Sequence, residues 1–153
     1  MEMESELGER VTELIENQLV GVLSTTSKGK PYSCLVSFRF TEDLESIIFA
    51  TKRDRLKYRK MMENHNVSII IDDRENRPDD FQRVTSLTVL GTAQEAENGE
   101  RKIFMDFLLE KHPYLSEFVR SDDTAIIQVS VNWLYIVTDF ERVTRVRAGS
   151  AEE

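Results

Sequence analysis

The segment 47-IIFATKRDRLKYRKMMENHNVSIIIDDR-74 sets two apolar, β-branched runs on either side of a basic stretch built from helix formers. Its first run, entered at Ser46, reads as a compact strand that ends where the charge begins. Leu56, Lys57, Arg59, Lys60 and Met61 all favour helix, with Asp54 placed to cap it. VSIIID then reads as a buried strand. Six of the twenty basic residues fall between Lys52 and Lys60, with Asp54 the only acid among them, in a chain of net charge −8. On a bare solvated face, cations at a helix start oppose its dipole by roughly 0.3–1 kcal/mol each, and nothing within the segment offsets that. An anion held at the strand-to-helix junction reverses the sign, because backbone N–H groups and adjacent cations converge on it. Arg53 and Lys57 are four apart, as are Arg55 and Arg59, so helical spacing gives two distinct faces.

Outward from this segment the pattern is mainly β. Leu7, Val11, Leu14 and Ile15 recur at helical spacing and predict an amphipathic helix over about 4–17. LVGVLSTTSKGKPYSCLVSFRF contains two β-rich runs separated by Ser27–Pro31, a hairpin signal. A polar turn at 41–45 leads to SIIFAT, so the first three strands form an antiparallel meander. The loop DDRENRPDDFQR is long and polar for a hairpin connection, and loops of that kind are often functional. Val84–Glu97 reads as a long strand whose Gly91 marks a bulge or barrel corner. Ile103, Phe104, Phe107 and Leu108 mark a helix that stops near Pro113, and Leu115, Phe118 and Val119 a second short one. AIIQVSVNWLYIVTDF is β-rich throughout, and about 142–153 reads as a charged tail. About six antiparallel strands with peripheral helices predict a small β-barrel, one domain over 1–153.

Composition bounds the function. The chain has 153 residues, 40% hydrophobic and 31% charged, as in an ordinary globular domain. MEMESELGER is acidic and lacks the positive-then-apolar order of a signal peptide, no apolar run approaches a membrane span, and Cys34 is the only cysteine; the expected compartment is the cytoplasm. One cysteine and two separated histidines, His65 and His112, supply no metal constellation, and exposed helix-end roles are expected for both histidines. Cys34 reads as an inert core residue. The acidic balance argues against nucleic-acid binding.

In order and spacing, Gly21, Gly29 with Pro31, Phe49-Ala50-Thr51, Lys52 to Lys57, Asn64 with Val67-Ser68, and Gly91-Thr92-Ala93 resemble the pyridoxamine 5'-phosphate oxidase-like family of FMN-binding split barrels. The resembling pieces span most of Val20 to Glu97. The resemblance implies a homodimer with flavin mononucleotide (FMN) sites at the subunit interface. Carried over by position, Lys57 and the Thr51-Lys52 backbone are the phosphate candidates, with Arg55 next. Ser37 matches the position that approaches the isoalloxazine ring, its plain alternative being a water-facing strand serine. Arg74 and Asn76 sit in a loop able to reach a partner's cofactor, or else in a solvated, salt-bridged loop. Trp133 could cover the flavin from the partner subunit or serve as a core or interface anchor.

The resemblance implies a flavin-dependent oxidoreductase acting on an unidentified small molecule, with no obligatory catalytic side chain. The oxidase's C-terminal substrate-phosphate arginine motif is absent from TDFERVTRVRAGSAEE, which separates this chain from pyridoxamine phosphate oxidation itself. A non-catalytic flavin-binding redox sensor or cofactor carrier is the alternative. Relatives that use deazaflavin or haem form a third reading.

Overall fold

The computed structural model describes residues 3–139 and 141–148. Its strands are β1 (Val20–Ser27), β2 (Lys30–Phe40), β3 (Ser46–Lys52), β4 (Asn66–Asp72), β5 (Ser86–Glu95), β6 (Thr124–Thr138) and β7 (Arg142–Arg147). They lie in the order β3-β2-β1-β4-β5-β6-β7, and β3 also pairs with β6, so the first six close into an antiparallel barrel. Around it stand the helices α1 (Ser5–Asn17), α2 (Leu56–Glu63), α3 (Asp80–Arg83), α4 (Asn98–Lys111) and α5 (Ser116–Arg120). No helix among the described residues is long and apolar enough to cross a membrane.

The strand β6 spans the whole barrel wall. On one edge Thr124–Ser130 pairs with β3 and Trp133–Thr138 with β7, while β5 covers the opposite edge. That arrangement corrects the reading of 142–153 as a tail: Arg142–Arg147 is a strand, because β3 begins only at Ser46, opposite Ser130, and leaves the second half of that edge unpaired. Residues 149–153 lie outside the described residues.

Side-chain alternation builds the core. In β1 every second residue is buried, as expected of a wall with one face inside. In β3, by contrast, Ile47, Ile48 and Phe49 are all buried. Ile47 and Phe49 belong to the main core, whereas Ile48 faces outward and packs with Ile126, Leu108 and Val119 beneath α4 and α5. This two-sided burial explains why SIIFAT is continuously apolar. Met61 of α2 and Val11, Leu14 and Ile15 of α1 join the main core.

Two local expectations resolve differently. His112 ends α4 as expected, yet it is wholly buried rather than exposed. Its Nε2 lies 2.8 Å from the Phe38 carbonyl and its Nδ1 2.6 Å from the Tyr114 hydroxyl. A carbonyl only accepts, so Nε2–H donates to it; burial pushes the pKa down and favours the neutral ring. The Gly91 bulge is present, with the β5–β6 register shifting between Leu90 and Gly91. A Cβ on Gly91 would come within 2.6 Å of the Ser130 carbonyl oxygen and of a Val129 methyl. Gly91→Ala is therefore expected to destabilise the barrel by about 1–3 kcal/mol, read as a lowered midpoint in urea unfolding.

Candidate functional site

A cavity of about 470 Å³ opens where β3 runs into α2. Thr51, Lys52, Arg55 and Lys57 line it, facing Tyr32 and Cys34 of β2 and Phe118 of α5. Arg55 is the N-cap of α2, with no side-chain cap and no acid in the first turn. Asp54, expected as the cap, stands one position too early and only approaches Arg55 at 4.0 Å. First-turn N–H groups have no intrahelical acceptor, so this terminus is fitted to an anion.

The cations divide by partner. Lys52 turns its ammonium away to Asp123 Oδ1 at 2.7 Å and Ser121 Oγ at 3.1 Å, and these contacts hold the Asp123 carboxyl down at about 2. Arg53 donates to Glu95 from Nη2 at 2.6 Å and Nε at 3.2 Å, and to the Asp122 carbonyl at 2.9 Å. The Tyr58 hydroxyl donates to the other Glu95 oxygen at 2.6 Å. Burial opposes charge on Glu95, but the bonds from Arg53 and Tyr58 outweigh it and hold the carboxyl below its usual range. Arg53 and Arg55 precede the helix, so they do not share its faces with Lys57 and Arg59, contrary to the helical-spacing expectation. Arg55, loosely held by Asp54, and Lys57 are the cavity cations with charge left for a ligand.

Cys34, expected in the core, packs against it part-buried and also lines this cavity beside Lys57. Burial pushes its thiol pKa up, and the neighbouring ammonium pulls against that.

The remaining candidates stand elsewhere. Ser37 alternates with the buried Val36 and Phe38 and so faces outward, opposite Val20. Arg74 pairs with Asp72 at 3.2 Å, in a groove of about 620 Å³ under α3 that Ile70, Phe81 and Val137 also line. Asn76, with φ 62°, bends the same loop, which its arginines lace with ion pairs to Asp79 and Asp80. Trp133 lies on the outer face of β6 in a groove of about 540 Å³. Its buried Nε1 has no hydrogen-bond partner, and the Arg145 guanidinium stacks 4.1 Å from its ring.

Thus four of the eight sequence candidates meet in one cavity and four do not. Sequence reasoning missed Tyr32, Cys34 and Phe118 as lining and Glu95 and Asp123 as charge partners. The inward parity of Tyr32 and Cys34 with Val36 and Phe38 was a usable signal for the two β2 residues; no local signal pointed to Phe118 or to the charge partners.

A closed six-stranded antiparallel barrel with a cation-lined cavity at its strand-to-helix junction defines the split-barrel class. Residues 7–138 match the pyridoxamine 5'-phosphate oxidase family, and the chain belongs to it. No curated protein matches the chain. Among solved structures it is similar to a heme-binding protein from Mycobacterium smegmatis, with TM-score 0.81 and 16% identity over 95% of this chain. The chain spans 60% of that protein's length. HutZ, the heme storage protein of Vibrio cholerae, matches with TM-score 0.72 and 15% identity over 82% of this chain and 90% of its own. An FAD-binding protein from Mesorhizobium loti matches with TM-score 0.66 and 14% identity over 86% of this chain and 92% of its own. At these identities the likeness is one of fold.

Glu95 fastens the junction that shapes the cavity. Glu95→Ala leaves Arg53 and Tyr58 without their shared acceptor and is expected to destabilise the fold by about 1–3 kcal/mol, checked by urea unfolding.

Proposed function

We propose that the chain is an FMN-binding flavoprotein of oxidoreductase type, acting on a small molecule as a homodimer. The observation that carries this reading is the convergence of Thr51, Lys52, Arg55 and Lys57 on one cavity at the uncapped start of α2. The donor set suits a phosphate monoester: a hydroxyl, a helix terminus and two cations with charge to spare. Bound there, flavin supplies the electron or hydride transfer, and the protein supplies position and electrostatics. Family membership supports the same assignment.

The homodimer draws on the barrel's outer face. Leu35 is 67% exposed, Val143 62% and Val20 44%, with Ile70 and Leu90 between them on the same wall. A second copy on this wall would cover those side chains and bring Ser37, Arg74, Asn76 and Trp133 toward the partner's flavin, the role the family resemblance implies for them. The cytoplasm is the compartment we assign.

A second reading, a non-catalytic cofactor carrier or sensor, draws on one observation: no carboxylate or histidine lines the cavity among the described residues. Any protein-borne proton transfer would fall to Lys57, Cys34 or Tyr32. The heme-binding and heme-storage relatives favour a carrier in the same way. The absorption spectrum and mass of the copurifying small molecule separate flavin from haem. Anaerobic reduction of the bound flavin by NADH or NADPH then separates enzyme from carrier.

Lys57→Ala is expected to weaken FMN binding roughly 10- to 150-fold, the equivalent of one charge-assisted hydrogen bond. Riboflavin has the same ring system without the phosphate, and its affinity should hardly change. Fluorescence titration reads both; an equal fall for the two ligands assigns Lys57 to the fold instead of the phosphate.

Light scattering of the 17.8 kDa chain should give twice that mass, and Leu35→Glu should return it to one. A wild-type monomer that still holds flavin refutes the shared site.

A further inference from the structure

The 52–60 cations do not all face the cofactor cavity. Across Leu56, which lines both, lies a second cleft of about 230 Å³ between the β1–β2 hairpin and α2. Lys28, Lys30, Arg59 and Lys60 line it, together with Ser27 and Glu63. The hairpin is rigid to its tip: Ser27 pairs with Lys30, and Lys28 and Gly29 turn the chain with φ of 54° and 74°. Lys60 Nζ donates to the Lys30 carbonyl at 3.3 Å, tying the hairpin to the helix. The opposite wall is fastened by Ser27, whose hydroxyl donates to the Glu63 carboxylate.

Charge here is out of balance. The Ser27 hydrogen bond, and then Lys28, Lys60 and Arg59, hold the Glu63 carboxyl below its usual range, so it stays ionised. One carboxylate faces four cations, in a chain whose net charge is −8. Several basic side chains elsewhere meet acids, as Arg39 meets Glu110, Lys52 meets Asp123 and Arg83 meets Asp80. Among the described residues Lys28, Lys30, Arg59 and Lys60 enter none of the ion pairs. Their mutual repulsion is relieved by an anion. The cleft is smaller than the roughly 300–1,000 Å³ of pockets that enclose whole ligands, so it suits one group of a ligand.

We propose that this cleft is a second phosphate subsite, across Leu56 from the cofactor cavity, that takes the phosphate monoester of a phosphorylated substrate or electron donor. Its assignment as the second such site rests on the FMN reading; its anion binding does not.

Inorganic phosphate titrated at constant ionic strength, with chloride as control, tests the site through backbone amide NMR shifts. The Gly29 and Lys60 amides should shift with phosphate and not with chloride. Lys28→Ala/Lys60→Ala should weaken that response at least about tenfold, the loss of one or more charge-assisted hydrogen bonds, while FMN loading is unchanged. Lys57→Ala should lose FMN affinity and keep the Gly29 response. No phosphate-specific shift at Gly29, or an equal one in the double variant, overturns the subsite and leaves the FMN reading intact. A Gly29 response in a protein that cannot load FMN overturns the FMN reading and leaves the subsite. NADPH acting at lower concentration than both NADH and phosphate identifies an electron donor as the source, and NADPH acting only as phosphate does points to the substrate. Displacement of phosphate by poly-glutamate at far lower concentration than by NADPH would make the cleft a protein-docking surface and overturn the proposal.

Discussion

The ladder between β3 and β6 is the constraint on which the rest of the molecule depends. Ser46–Lys52 pairs residue for residue with Thr124–Ser130, and this pairing turns an open sheet into a barrel. Closure removes the edges that β3 and the first half of β6 would otherwise expose. It also determines where the cation-lined cavity forms. Because Lys52 pairs with Thr124, the end of β3 lies against the turn carrying Ser121 and Asp123, and α5 brings Phe118 to the cavity wall. Without the ladder, the strand-to-helix junction would have cations but no wall opposite them.

Charge sorting follows from that geometry. The basic segment looks uniform in sequence, yet each cation meets a different environment. Lys52 and Arg53 are neutralised by Asp123 and Glu95 and act as fasteners. Arg55 and Lys57 face the cavity at the start of α2, and Arg59 and Lys60 face the hairpin. A helix terminus without a cap or first-turn acid would be a weakness in an ordinary surface helix. At the mouth of a cationic cavity it becomes one more donor surface for an anion.

Local pattern carried much of the fold. Helix-period spacing at Val11, Leu14 and Ile15 located α1, and β-rich runs set apart by turn residues located β1, β2 and β5. Gly91 announced the bulge, since a glycine inside a strand signals close backbone approach, here to Ser130. The failures were equally physical. Arg142–Arg147 looks like a charged tail because its pairing partner is the unused edge of β6, which no local window reveals. His112 looked exposed because its burial depends on Phe38, 74 positions away.

The sequence by itself determined the strand and helix alphabet, the family, and the segment that would carry positive charge. Those properties are local, set by side-chain periodicity, propensity and composition within a few residues. Which of the charges remain available to a ligand was decided only by the tertiary structure. Glu95 reaches Arg53 across 42 positions and Asp123 reaches Lys52 across 71, and barrel closure brings them together. A charge is available or spent according to its distance from its counter-ion in space, and that distance exists only in the folded chain.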